Sequence, residues 1–406
     1  MVESTGSRLQ GERVLVTGAA LADGNSDSVV RDVTLYVDHG VVAGLWTDGD
    51  RPVPGDVADV PVIDGLGSTI VPGMVDSHSH LSMPGGADWV AHGFDPLDTL
   101  LAVGEENGEL MVRAGIRWAR DVGAPRRLDP DRGAERAASL MLRERWQGNR
   151  DRPYIRAAGT WLLRPGALPE GLGIEVAHGA DLAAAVRQQL DEGADLVKLY
   201  LDGPDPDVSP FSTDEVTAAV REAHNRGAKV AAHATTLPGN RVGAEAGVDS
   251  LEHGFQIDAD IARIMVANNV TLVSTLAVMH SWRTFAATST VARFTDPDMG
   301  PKLDERLENA AMSVRTADVA GVAIAAGSDF GGGSLRANQL VWEVEAMVAA
   351  GIEPRKALAA ATWRGGDLLG VPHAGRLAVG LPAHFSLVHG DPLSEPSALW
   401  RVWLTR

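Results

Sequence analysis

The chain has 406 residues, a formal charge of −18 and no cysteine. This length suits one large and one small domain, and the absence of cysteine excludes disulfides, thiolate metal sites and a cysteine nucleophile. The acidic charge disfavours nucleic acid as a partner, since phosphates attract patches of lysine and arginine. No apolar run approaches the roughly 20 residues of a membrane span, and the polar first residues lack the apolar core of a secretory signal. We therefore expect a cytoplasmic protein that acts on a small-molecule substrate, with no role at a membrane.

The chain begins and ends with β-structure. From about residue 12 to residue 70, short β-segments alternate with Gly and Asp turns: VLVTG, DVTLYVD, VVAGLW and DVPVID. This pattern is typical of a small antiparallel sheet. The tail, which contains HFSLVHGDPL and LWRVWLTR, has the same character. We expect both termini to build one small β-sandwich domain, from residues 1–70 and 371–406, with a second domain inserted at residues 71–370.

In the inserted region, short apolar strands alternate with amphipathic helices, which is typical of βα units and a parallel sheet. Eight strands are predicted, at TIVPGMVDSH, IRWARDVG, YIRAAG, LVKLYLDG, KVAAHA, SLEHG, TLVSTL and VAIAAGSD. The helix between the fourth and fifth strands opens with Ser212 and Glu215 in capping-box spacing and ends at Gly227. The pattern predicts an α/β protein whose residues 71–370 form a (β/α)8 TIM barrel.

Residues with metal-ligating side chains end five of the eight strands. His78 and His80 close the first strand, where side chains two apart point to the same side. The others are Lys198 on the fourth strand, His233 on the fifth, His253 on the sixth and Asp329 on the eighth. A single histidine at a strand end is more often a core residue, and a single lysine is more often salt-bridged. Because the carboxyl ends of barrel strands meet at one rim, the whole set predicts a metal site there.

This order of residues resembles the amidohydrolase superfamily, in the branch that binds two metal ions. VPGMVDSHSHL, GADLVKLYLDG and AGVDSLEHG are similar to stretches of its prolidase-like, or imidazolonepropionase-like, group. The similarity spans nearly the whole chain. Two departures are GSDFGGG, where GTDAG is commoner, and His384, where the tail of this group usually carries Asp.

The resemblance implies two divalent metal ions, with zinc expected, and a carbon dioxide adduct, N6-carboxylysine, at Lys198 that bridges them. The more buried ion is expected to be bound by His78, His80 and Asp329. The other ion is expected to be bound by His233 and His253. Without the adduct, Lys198 would bring a positive charge beside two cations, so either the carbamate forms or only one metal binds.

Two cations in such a site activate water as hydroxide and polarise the substrate carbonyl. Asp329 is the candidate general base, which takes the proton of the water and returns it to the leaving amine. Tyr200, two residues after Lys198, and His280, after the seventh strand, are candidate substrate-binding residues. A core position is the alternative for Tyr200, and Arg120 is expected to pair with a nearby carboxylate.

We expect hydrolysis of an amide bond in a dipeptide or N-acyl amino acid. One alternative is hydrolysis of a cyclic amide, or deamination, with one metal ion in the manner of imidazolonepropionase; Lys198 argues against it. Another is a non-catalytic scaffold, against which the complete ligand set argues. Relatives of this kind often form symmetric assemblies, so a homo-oligomer is expected.

Overall fold

A computed structural model describes residues 13–47, 57, 59–296 and 298–406. Residues 1–12, 48–56 and 58, which belong to the predicted N-terminal part of the small domain, lie outside the described residues. The strands β1 to β19 span, in chain order, Arg13–Leu21, Val30–Asp38, Val41–Trp46, Val62–Asp64, Ser68–Pro72, Met74–Ser79, Ile116–Asp121, Arg126–Asp129, Ala134–Ala137, Tyr154–Ala157, Trp161–Leu163, Ile174–Glu175, Leu196–Tyr200, Lys229–Ala234, Ser250–His253, Thr271–Ser274, Ile324–Ala326, Phe385–His389 and Val402–Thr405.

The helices α1 to α13 span, in chain order, Trp89–His92, Leu97–Arg113, Ala138–Trp146, Leu182–Asp191, Thr213–Asn225, Leu237–Ala246, Ala259–Ala267, Ala277–Thr288, Ala292–Thr295, Met299–Ala320, Leu340–Ala349, Pro354–Ala360 and Trp363–Leu369. Short 3-10 helices lie at Gly179–Asp181 and Pro396–Trp400. None of the helices in the described ranges combines the length and apolar character that crossing a bilayer requires.

The two termini share one sheet, as predicted. Its strand order is β19-β18-β5-β1-β2-β3, and β4 also pairs with β1. The expectation of an antiparallel sheet is wrong in part, because β1 pairs in parallel with both β4 and β5. The strands β2 and β3 lie between β1 and β4 in the chain, so β1 and β4 are not joined as a hairpin. A layer of buried side chains that includes Val16, Leu35 and Phe385 packs this sheet.

The strands of the inserted region are parallel. They form a three-stranded sheet, β10-β7-β6, and a seven-stranded sheet, β12-β11-β13-β14-β15-β16-β17. Hydrogen bonds join the two sheets on both sides. On one side, Asp195 N, just before β13, donates to Ala157 O of β10 at 2.8 Å. On the other side, Asp329 N, after β17, donates to His78 O of β6 at 2.8 Å. Each of the eight predicted strand segments contains a strand of these sheets.

The first predicted strand is divided at Gly73. Its first half, β5, belongs to the terminal sheet, and its second half, β6, pairs with β7. Gly73 N donates to His384 O at 2.8 Å, and a Cβ at this position would lie 2.7 Å from Arg117 Cγ. The apolar pattern gave no sign of the break because both halves are fully buried.

The helix α5 begins and ends as its sequence predicts. Glu215 N donates to Ser212 Oγ at 3.3 Å, and Ser212 N donates to Glu215 Oε2 at 2.8 Å, which completes the capping box. Gly227, with φ of 71°, follows the last turn. The buried face of α5 has helical spacing, and the helix packs on β14, the strand that carries His233.

Candidate active site

The six predicted metal ligands line a single cavity of about 360 Å³. They are His78, His80, Lys198, His233, His253 and Asp329. They come from β6, β13, β14 and β15 and from the segments just after β6 and β17. The expected convergence of these strand ends is therefore what the structure shows.

His78 and His80 present the same ring nitrogen to Asp329. His80 Nδ1 donates to Gly123 O at 2.7 Å, which leaves the Nε2 lone pair free. His78 Nδ1 lies 2.7 Å from Glu252 Oε2. The Nε2 atom of each histidine is then 3.3 Å from Asp329 Oδ1. A histidine whose outer nitrogen is fixed by a carboxylate or a carbonyl is the usual form of a metal ligand.

Asp329 and His253 have unusual backbone conformations. Their φ angles are 52° and 73°, in the left-handed region that residues other than glycine rarely adopt. Such strain is typical of functional sites, where the surroundings hold a side chain in one direction. Ligand atoms of His78, His253 and Asp329 all lie within 4.8 Å of one another, a spacing that can hold a metal ion.

In His233 and His253, too, one ring nitrogen contacts a polar side chain. His253 Nδ1 lies 2.8 Å from Thr275 Oγ1, and His233 Nε2 lies 3.1 Å from Asp202 Oδ2. The ring of Tyr200 stacks on the ring of His233, with 3.8 Å between centroids. One nitrogen of each imidazole is thereby left for a ligand in the cavity.

Lys198 is the most unusual residue of the site. It is 1% exposed, and its Nζ has no hydrogen-bond partner among the described residues. Burial lowers the pKa of Lys198 to about 8, although the carboxylate of Glu252 opposes the shift. A buried amine without a partner is costly, so the position fits a group that would bind to it.

The electrostatics of the site suit a cation. Burial lowers the pKa of His78, and lowers that of His253 well below its usual range, so both rings are neutral and carry a lone pair. Burial alone would raise the pKa of Asp329, but His78 and His80 bring it well below its ordinary value. Asp329 is therefore an ionised carboxylate among neutral imidazoles.

The sequence model of the amidohydrolase family matches residues 69–403 of the chain. The chain belongs to the amidohydrolase family. An uncharacterized protein of Mycobacterium tuberculosis is 31% identical over 339 residues, 81% of both chains. Ochratoxinase of Aspergillus niger is 27% identical over 259 residues, which cover 60% of this chain and 51% of that protein.

Among solved structures, a Xaa-Pro dipeptidase with bound methionine in the active site superposes with a TM-score of 0.80. The superposed part covers 97% of this chain and 98% of the dipeptidase chain at 24% sequence identity, which is a likeness of fold. The resemblance predicted from the motifs is confirmed, and the chain is an enzyme that hydrolyses carbon–nitrogen bonds.

In this amidohydrolase, sequence reasoning missed the buried carboxylate that holds His78. Glu252 Oε1 accepts from Arg120 Nη2 at 2.6 Å and from Ser250 Oγ at 2.5 Å, while Oε2 contacts His78. The expected pairing of Arg120 with a carboxylate is confirmed. The signal was a charged residue inside the apolar strand SLEHG, where a carboxylate needs a partner.

A second missed carboxylate is Asp76, which fixes the segment that carries Asp329. Asp76 accepts from Ser328 Oγ at 2.5 Å and from Ser328 N at 3.0 Å. Burial raises the pKa of Asp76 to about 6. Its position two residues before His78 places it on the same side of the strand, which was the available signal.

The two predicted substrate-binding residues lie in different places. Tyr200 lines the cavity, whereas His280, half-buried on α8, is not among the described residues that line it. The role of His280 stays a prediction.

The walls of the cavity are largely apolar. They include aromatic and aliphatic side chains: Trp89, Trp161, Leu168, Phe255, Val278 and Met279. Trp89 Nε1 is buried without a hydrogen-bond partner in the described part of the chain. Arg306 and Asn309 of α10 also line the cavity, and the exposed Arg306 forms no ion pair with another described residue. The cavity thus combines the candidate metal ligands, apolar walls and the guanidinium of Arg306.

Proposed function

We propose that this amidohydrolase uses two divalent metal ions to cleave an amide bond in a small molecule, a dipeptide or an N-acyl amino acid. The observation that carries the proposal is the buried, unpartnered amine of Lys198 among four histidines and Asp329. With a single metal ion, the Lys198 amine would stay buried without a binding partner. A carboxylated Lys198 would instead provide a bridging anion.

The donor set fits zinc, which binds imidazole nitrogens and carboxylate oxygens. His78, His80 and Asp329 would hold one ion, and His233 and His253 the other. The close group of His78, His253 and Asp329 takes members from both sets, which supports two ions near enough to share a bridge. When bound, the ions supply an activated water and polarise the scissile carbonyl.

The protein's own groups are suited to move the proton. Asp329, ionised at neutral pH, can accept a proton from the attacking water and pass it to the leaving nitrogen. Burial raises the pKa of Tyr200, so its hydroxyl keeps its proton and can donate to a substrate oxygen. A pKa of about 8 gives Lys198 a neutral fraction near neutral pH, and the neutral amine is the form that adds to carbon dioxide.

We also propose that the two parallel sheets close into a (β/α)8 barrel over residues 71–370. The hydrogen bonds that join β13 to β10 and the segment after β17 to β6 support closure. The sandwich form of the terminal domain, its limits at residues 70 and 371, a homo-oligomeric state and a cytoplasmic location remain predictions.

The walls and the mouth of the cavity favour an apolar substrate with a free carboxylate. The aromatic side chains would cover an apolar acyl group or side chain, and Arg306 would bind the carboxylate in a charge-assisted hydrogen bond. The likeness of fold to a Xaa-Pro dipeptidase puts dipeptides first among the compounds to test.

The test is hydrolysis of apolar dipeptides and N-acyl amino acids by zinc-loaded enzyme, each compared with its carboxyl-amidated form. We expect the free acids to be cleaved with the lower KM. In Arg306→Met the KM for the acids should rise about tenfold, with the amidated forms unaffected, since one charge-assisted bond is lost. Arg221→Met, an exposed arginine on α5 outside the cavity, is the matched control. Deamination or cyclic-amide opening, without cleavage of any acid, would overturn the proposal.

A further inference from the structure

A second cavity, of about 780 Å³, lies beside the amino-terminal ends of β7 and β10. The metal-ligating residues are at the other ends of the strands. Five arginines line this second cavity: Arg117, Arg132, Arg143, Arg150 and Arg152. Such a concentration of positive charge stands out in a chain with a formal charge of −18.

Three of the five arginines have carboxylate partners. Arg132 pairs with Glu144 at 3.2 Å, Arg143 with Asp195 at 2.5 Å and Arg152 with Glu105 at 3.0 Å. Glu144 and Asp195, the two carboxylates that line the cavity, are therefore already engaged. Glu144 also binds Arg136 at 2.6 Å, outside the cavity.

Arg117 and Arg150 are left without such a partner. Arg117 is only 8% exposed; its Nη2 donates to Arg150 O at 2.7 Å, and its buried Nε has no partner in the described residues. The carboxylate of Asp151 acts on Arg117 by its charge, but it forms no ion pair with it, and the described residues give Arg150 no ion pair either. A buried cation with one carbonyl acceptor is costly to the fold unless an anion neutralises it.

His384 lines the same cavity. Its Nδ1 is buried and has no hydrogen-bond partner among the described atoms. The His384 ring meets the edge of Trp118, with 5.2 Å between centroids. The ring of His384 carries no negative charge, so it does not neutralise Arg117.

We propose that this second cavity binds the phosphate group of a small phosphorylated molecule, with Arg117 and Arg150 as its main ligands. Two unpaired guanidinium groups match the charge of a phosphate dianion, and their planar forks suit its oxygens. The cavity is larger than a phosphate ion needs. Tyr154 is 45% exposed, and Arg156 Cζ lies over its ring at 5.7 Å from the centroid; the other face of the ring would contact an organic part such as the base of a nucleoside monophosphate.

The test is calorimetric titration of the zinc-loaded enzyme with inorganic phosphate, AMP and adenosine. We expect AMP to bind more tightly than phosphate, and adenosine not to bind. Arg150→Ala should weaken both anions about tenfold or more, since a charge-assisted contact is lost. Arg145→Ala, an exposed arginine on α3 outside the cavity, should bind as the wild type does. Equal affinity for AMP and phosphate would identify free phosphate as the ligand.

His384→Asp is a second variant, which introduces a carboxylate near Arg117. We expect it to abolish anion binding while amide hydrolysis stays at the wild-type rate, because the two cavities are at opposite strand ends. Two results would overturn the proposal. One is the absence of binding by both anions. The other is binding that persists in both variants, and its loss on removal of the zinc would place the anion at the metal site.

Discussion

Replacement of Glu252 by glutamine should weaken both the fold and the metal site. The Arg120–Glu252 pair is 2.6 Å long, and its side chains are 3% and 0% exposed, so solvent screens it little. Breaking a buried pair at one partner costs about 3–5 kcal/mol. His78 Nδ1 also loses its charged acceptor, and loss of such a partner typically lowers metal affinity by about 10–100-fold. An amide has only one acceptor oxygen, so its NH2 group would face either the arginine or the histidine donor.

Urea unfolding would measure the stability of Glu252→Gln, and zinc titration would measure its metal affinity. The matched control is Glu192→Gln. It breaks the ion pair between Glu192 and Arg126, which is 2.5 Å long and lies outside the cavity. We expect the control to bind zinc as the wild type does. Glu252→Gln with zinc affinity within about twofold of the wild type would refute the argument, since a positioning role predicts at least a tenfold loss.

Three further variants test single contacts. Burial raises the pKa of Glu343 to about 8, above its ordinary value of 4.5, so the stability that the protonated side chain contributes to the fold is lost as pH rises between these values. In thermal melting, Glu343→Gln should therefore be more stable than the wild type at pH 9 and not at pH 4. A Cβ at Gly332 would lie 2.0 Å from His80 Cδ2, so Gly332→Ala should lose bound metal by elemental analysis, and full metal content would contradict this. Tyr200→Phe should lower kcat about a hundredfold with metal content unchanged, if its hydroxyl stabilises the reacting oxygen; an unchanged kcat would make it a wall residue.

The candidate ligands could be selected from the sequence because each one lies in or just after a predicted strand, and such positions are local signals. His78 and His80 share a side by the period of two, and Asp329 follows an apolar run. The parallel arrangement followed from the same alternation of strands and helices.

The residues that fix the ligands could not be found in this way, because their contacts join distant strands. Glu252 meets His78 across 174 positions, and Thr275 meets His253 across 22. The division of the first strand at Gly73 was hidden for another reason, since burial on both sides removes the change in pattern that marks a boundary.

The metal content of the protein tests most directly whether Lys198 bridges two metal ions. Elemental analysis of protein purified without chelator would compare the wild type with Lys198→Ala and with Lys229→Ala. Lys229 lies at the start of β14, where its Nζ donates to Leu368 O at 2.8 Å, outside the cavity. We expect two metal equivalents per chain in the wild type and in Lys229→Ala, and a clear loss in Lys198→Ala. One equivalent in all three proteins would show that Lys198 bridges no pair of ions.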